Sequence, residues 1–396
     1  MERGMPQYVR AMVEPELLVW ARKSAGLEIA EAAKKVQVAE ERLFSWESGT
    51  KSPTLKQLRK LGAVYKRPLA VFYLPEPPRD FKPMQDFRRL PGGAQPEYSP
   101  ELRYEIRRAY DRRELAIEMW EATEGKPPEF PLAASLDENP EVVGTRIREC
   151  LCITYENQAS WPGAYKSFNG WRNAIEYLGV LVFQATDVDL SEMRGFSIVQ
   201  QPLPAVTANI KDSPRARTFT LLHELAHIML HRGGLCDLEE KANPNSEDER
   251  MEVFCNMVAG ATLVPAADLL QEQLVVAKGR NPVWSDDEIQ ALSRRYGGAS
   301  REVILRRLLI FGRTTEAFYR AKREQFRKEY LAQKKEAPGF APPDVVALGR
   351  AGRLFAQLVL SNYYLDRVTA SDVSDFLEIR LKHLPKIEAE LQAHLS

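Results

Sequence analysis

The sequence predicts an α+β protein. It has an all-α module at the N-terminus, a central domain pairing a small sheet with a histidine-bearing helix, and a helical C-terminal segment. Three observations carry this. Apolar residues recur near helical spacing from 14 to 74. Three short β-branched runs, at 179–183, 195–199 and 205–210, are bounded by turn residues. They lead into Thr218–His231, which contains His-Glu-Leu-Ala-His at 223–227.

In chain order, Leu17, Leu18 and Ala21, then Ile29, Ala32, Ala33 and Val36, then Leu43 and Trp46, then Leu55, Leu58 and Leu61 mark successive helices, with Gly26, Gly49 and Pro53 between them. The helical module is set at 1–75. Residues 76–140 are a linker with one connecting helix. The linker is Pro-rich to residue 99, an Arg/Glu-rich helix spans Pro100–Thr123, and a second Pro-rich stretch follows. The central domain is set at 141–300, helical to about 178, then the three strands, the histidine helix and further helices from 248. A Lys/Glu-rich stretch with Pro338, Gly339, Pro342 and Pro343 lies within a C-terminal helical segment, 301–396.

Composition narrows the function. The formal net charge is zero, so only local charge can favour nucleic acid. Four cysteines, Cys150, Cys152, Cys236 and Cys255, show no paired C-x-x-C zinc spacing and suit a reducing compartment. No signal stretch and no apolar run of membrane-helix length is seen, so a cytoplasmic protein without membrane contact is expected.

Histidines four apart share a helix face, so His223 and His227 can reach one metal ion, and Glu224 between them can serve as a general base. A catalytic zinc site needs a third protein ligand. The positions six and ten residues after His223 hold Met229 and Gly233, so a third histidine in that pattern is absent. His231 is two turns along and is expected behind the ligands or in the core. The better candidate is a carboxylate on the next helix, either Glu252, with Asn256 on the same face, or Glu249 one turn earlier. The loop after Gly233-Gly234 places Cys236 where its thiolate could fill the open coordination position and hold the site latent. Cys255 is expected in the core.

The stretch from about Trp171 to Pro265 resembles the ImmA/IrrE family of bacterial metallopeptidases. The matching pieces are Gly195-Phe-Ser-Ile, the strand at 205–209, Arg217-Thr-Phe-Thr-Leu-Leu-His-Glu-Leu-Ala-His, Glu252 with Cys255-Asn256, and Leu263-Val-Pro265. The resemblance implies a zincin-like metallopeptidase fold, one zinc ion (Zn2+) on His223, His227 and Glu252, and Glu224 as base. It also implies endoproteolysis of a transcriptional repressor, with release of stress, mobile-element or phage-defence genes or a DNA damage response. The substrate expected is a helix-turn-helix repressor encoded nearby. A substrate strand is expected to add beside 205–210. Ala226 and Cys255 depart from the family's usual Gly and Ala, and neither touches a ligand.

Residues 17–74 resemble the Cro/repressor-type helix-turn-helix. The features are Ala21-Arg22 with Ala25-Gly26-Leu27, Ala32-Ala33-Lys34-Lys35-Val36, and Trp46-Glu47-Ser48-Gly49. Its recognition helix would begin near Ala39 and turn Glu40, Glu41, Arg42 and Ser45 to the groove, with Arg42 and Ser45 as candidate DNA contacts. Two glutamates there oppose the phosphate field, so protein docking competes with duplex binding. Arg103, Arg107, Arg108, Arg112 and Arg113 share one helix, and Arg301, Arg306 and Arg307 another. Interleaved glutamates make solvated faces the default, with single-stranded DNA as a candidate activator; Asn362-Tyr363-Tyr364 could stack on bases, but core packing is the default for that segment. The competing functions are a DNA-binding regulator with an idle zinc site and an antitoxin-like binding protein.

Overall fold

A computed structural model describes residues 10–78, 98–232, 246–333 and 341–392. The chain divides into two compact units, Met1–Pro83 with Gly92–Arg108, and Met84–Pro91 with Ala109–Ser396.

The first unit holds α1 (Pro15–Ser24), α2 (Ile29–Val36), α3 (Glu40–Glu47), α4 (Leu55–Tyr65) and a 3-10 turn at Leu69–Tyr73. Each helix buries one stripe, and Leu18, Ala21, Ala32, Val36, Leu43, Trp46, Leu58, Leu61 and Phe72 form a common core. Thr54 and Gln57 cap the start of α4 reciprocally. Gly49 stops α3 at a φ of +74°, where a Cβ would also come within 3.1 Å of Pro15. One buried ion pair ties α1 to α3: Arg22 donates to both oxygens of Glu47 at 2.9 and 3.0 Å and to the Leu27 carbonyl. The first residues of α5 (Pro100–Thr123) belong to this unit and the rest to the second.

In the second unit α6 (Pro140–Cys150), α7 (Tyr155–Ser160) and α8 (Gly163–Tyr177) precede three strands, β1 (Leu181–Ala185), β2 (Gly195–Ile198) and β3 (Ala205–Asn209). The sheet order is β1-β3-β2, with β1 parallel and β2 antiparallel to β3. All three strands are buried throughout, which suits their Val, Ile and Phe content. Then come α9 (Pro214–Met229), capped by the Ser213 side chain with Pro214 at its first turn, and α10 (Glu247–Leu263), capped by Ser246. Leu221, Leu222, Leu225 and Ile228 of α9 meet Trp171, Ile175, Val206, Ala208, Phe254 and Val258 in one core.

The rest is helical: α11 (Ala266–Gln271), α12 (Gln273–Lys278), α13 (Asp286–Arg295), α14 (Arg301–Ile310), α15 (Glu316–Gln333), α16 (Pro343–Ala351), α17 (Arg353–Tyr364), α18 (Ala370–Phe376) and α19 (Leu384–Gln392). The α16–α17 corner is packed onto β1. Phe355 meets Phe183 edge to face at 6.2 Å. Arg172 of α8 donates to the carbonyls of Val182, Leu348 and Gly349. Gly352 turns the chain at a φ of +84°, and a Cβ there would fall 2.5 Å from Glu176 and 2.7 Å from the Val182 carbonyl.

The structure corrects the reading of the arginine-rich faces as solvated. Arg107, Arg112, Arg113 and Arg307 are buried. Arg107 donates to the Lys66 carbonyl, Arg112 to the Arg350 carbonyl and Glu378, and Arg113 to the carbonyls of Gln200, Pro202 and Leu203. Arg307 forks onto both oxygens of Glu141 at 2.5 and 2.7 Å and bonds the Val264 carbonyl. Long stems and five donors let arginine cap exposed carbonyls between packed helices, so these side chains act inside the fold. Tyr364, expected in the core, is 63 % exposed at the end of α17 and donates to Glu388, while Asn362 is the buried member of that run. Among the described residues no helix is long and apolar enough to cross a membrane.

Candidate metal centre

The site is built by α9 and α10. Four-residue spacing on α9 brings the Nε2 atoms of His223 and His227 to 3.1 Å. Glu252 of α10 lies against both, with Oε2 3.3 Å from His223 Nε2 and Oε1 3.3 Å from His227 Nε2. Their ligand atoms all fall within 4.8 Å of one another, and all three residues are buried. Glu249, the rival carboxylate, lies outside this group. His231 departs from its expected place, being exposed in a left-handed turn just past α9, at a φ of +55°. Cys255 is fully buried, and burial pushes its thiol well above the ordinary range. Cys236 lies outside the described residues.

The polar groups behind the histidines decide what belongs in front of them. His223 Nδ1 sits 3.0 Å from Asn256 Oδ1, and His227 Nδ1 sits 3.0 Å from the Arg232 carbonyl. Both partners are acceptors, so each Nδ1 carries its proton and each neutral ring turns a lone pair inward at Nε2. A hydrogen bond between the two Nε2 atoms would need the other tautomer in one ring and would leave acceptor facing acceptor behind it. Two nitrogen lone pairs and a carboxylate therefore converge in one buried pocket. That donor set fits a divalent cation.

Glu224 is 1 % exposed, on the helix face next to the histidines. Its Oε2 accepts a hydrogen bond from Ser197 Oγ at 2.8 Å. Gly195, two residues earlier on the same face of β2, lets the strand approach: a Cβ there would stand 2.4 Å from Thr220 Cγ2 and 3.3 Å from Glu224 Oε1. Arg217 secures the first turn of α9, stacked on Phe168 and donating to Gln184 Oε1 at 3.0 Å.

The structure corrects the placing of a substrate strand beside 205–210. That segment is the middle strand, already paired on both sides. The outer strands are β1, on which α16 and α17 pack, and β2, which lies against α9. Sequence reasoning missed Ser197 and the Arg232 carbonyl. The first had a faint signal, Gly195 and Ser197 alternating on one strand face. The second had none, because a main-chain oxygen carries no residue signature. Asn256, expected on the same site-facing side as Glu252, backs His223.

In the first unit α3 begins where expected, after Ala39. Glu40, Glu41 and Arg42 are exposed. Ser45 donates its hydroxyl to the Arg42 carbonyl at 2.7 Å, leaving its oxygen as an acceptor. Phe44, an apolar position beside Leu43 in the helical pattern, is 62 % exposed on this helix.

Comparison with known families agrees with both regions. The model of the helix-turn-helix matches residues 18–72. The model of the IrrE N-terminal-like domain, a metallopeptidase family, matches residues 175–309. No curated protein matches the chain. The chain thus carries a helix-turn-helix of the Cro/repressor type followed by an IrrE N-terminal-like domain of the ImmA/IrrE metallopeptidases.

Proposed function

We propose that this chain is a zinc-dependent endopeptidase whose substrate is a helix-turn-helix repressor encoded nearby, and that cleavage releases stress, mobile-element or phage-defence genes. The observation that carries the reading is the convergence of His223, His227 and Glu252 with a buried carboxylate, Glu224, beside them. A structural site needs no such base.

In this reading His223, His227 and Glu252 hold the ion. Bound there, zinc supplies Lewis acidity towards a carbonyl and makes water more acidic. Glu224 takes the proton of the attacking water and returns it to the departing amine nitrogen. Asn256 and the Arg232 carbonyl keep both imidazoles turned inward. An extended peptide adds along β2, the outer strand next to Glu224, which replaces the middle strand as the docking edge. The helix-turn-helix brings the enzyme to its target, by duplex DNA or by the repressor itself, with Arg42 and Ser45 the candidate DNA contacts.

The test is to incubate the zinc-loaded chain and its Glu224→Ala variant with the product of the neighbouring repressor gene, with and without single-stranded DNA. Cleavage by the wild type alone is expected. If neither protein cuts with zinc fully bound, the enzyme reading fails in favour of a DNA-binding or antitoxin-like regulator, unless Cys236→Ala restores cleavage and reveals a latent site.

A further inference from the structure

We infer that Ser197 is a positioning residue for Glu224, holding one carboxylate oxygen so that the other faces the reacting water. The inference rests on the peptidase reading of the site. The geometry behind it is local and closed. Ser197 Oγ and Glu224 Oε2 are 2.8 Å apart, and both residues are about 1 % exposed. A carboxylate is acceptor-only, so the serine hydroxyl is the donor and is committed to Oε2. Such a charge-assisted bond in a dry site is strong and directional.

The main chain fixes where that hydroxyl stands. Ser197 pairs with Val206 and Gly195 with Ala208 across the β2–β3 ladder, so the register sets the position of Oγ along α9. Gly195 and Ser197 point to the same face, two residues apart. At 195 the absent side chain lets the strand reach α9, because a Cβ would overlap Thr220 Cγ2 at 2.4 Å. At 197 the small hydroxyl fills the remaining gap. The Oε1 of Glu224 then lies over Gly195, 3.3 Å from where its Cβ would be. Oε2 is thus held by the strand, and the proposed role leaves Oε1 to the reacting water. A glutamate otherwise turns freely about its last torsion, and a base must be aimed as well as present.

The role predicts a specific pattern. Ser197→Ala should fold and bind zinc at one equivalent, and should lower kcat roughly 10- to 100-fold with KM little changed, as for loss of one bond to a charged group. Ser197→Thr, which keeps the hydroxyl, should recover most of the rate, and Ser197→Cys, a weak donor, should fall between. In a Glu224→Ala background, Ser197→Ala should change nothing further, since it acts through Glu224. Acetohydroxamate, which gives up a proton to a base when it binds zinc, offers a readout without turnover. Its affinity, measured by calorimetry, should fall about tenfold in Ser197→Ala and stay level when the same change is made beside Glu224→Ala.

Equal kcat and equal hydroxamate affinity in wild type and Ser197→Ala would overturn the assignment. So would an equal loss from Ser197→Ala with and without Glu224, which would mark a packing role. If the wild type binds no zinc, the peptidase reading falls instead. Crystal structures of the metal-free proteins then decide on Ser197, and an unmoved Glu224 carboxylate in Ser197→Ala sinks the inference.

Discussion

Glu224 and Asn256 stand beside the three candidate ligands, and the proposed function gives each of them a separate role. Glu224→Gln keeps size and hydrogen bonding but removes the base, so zinc content should stay at one equivalent while kcat drops by about 10²–10⁴. Parallel metal analysis and cleavage assays check this, and loss of zinc together with rate would refute the assignment. Asn256 receives the His223 Nδ1–H at 3.0 Å, and without it that ring is free to turn. Asn256→Ala should therefore weaken zinc binding about 10- to 100-fold, read by competition against a chelator, with the helix content unchanged. The two histidines and the glutamate between them were legible because a 3.6-residue period converts sequence spacing directly into a shared face. Glu252 was legible only as one of two carboxylates on a later helix. Ser197 left only the faint alternation with Gly195, since its meeting with Glu224 depends on strand register, which that alternation does not fix.

At the scale of elements, α10 is pinned by a residue far along the chain. Arg307 of α14 is 1 % exposed and joins Glu141 of α6 to the Val264 carbonyl just after α10. Arg307→Ala strands a carboxylate and a carbonyl and should lower the stability of the second unit by about 3 kcal/mol. Glu141→Gln keeps the side chain's shape and one acceptor for the guanidinium, so it should cost less. Urea unfolding of both variants tests the order, and equal losses would contradict it. Gly195→Ala should push β2 away from α9, at about 1–3 kcal/mol. The helical character of these stretches was legible, and Pro100–Thr123 to its ends, because apolar stripes are local signals. The strand order was not: β2 lies outside β3 although it precedes it, and that choice is made by packing against α9. The arginine-rich faces misled for a related reason. Arginine and glutamate alternating along a helix look solvated, and only the tertiary fold shows carbonyls from distant turns waiting for their donors.

At the scale of the whole molecule, each unit holds a buried core of its own among the described residues. Zinc removal should therefore lower the melting of the unit that holds His223, by an amount that grows with metal concentration and reaches about 4 kcal/mol at a thousandfold excess over Kd. Arg22→Ala should lower the melting of the other, because Glu47 keeps its charge and loses its fork. Calorimetry with and without chelator checks both, and a single transition that moves alike in each case would refute the separation. The order of the elements was legible here, whereas the covering of β1 by α16 and α17 was not, since that contact joins Phe183 to Phe355, 172 positions apart. The Arg307 fork has one more consequence, for inheritance. It joins residue 141, well before the stretch that matches a known domain, to residue 307, near its end. A gene rearrangement that moved only the matched stretch would leave Arg307 without its carboxylate. The segment able to pass intact between proteins therefore reaches back at least as far as α6.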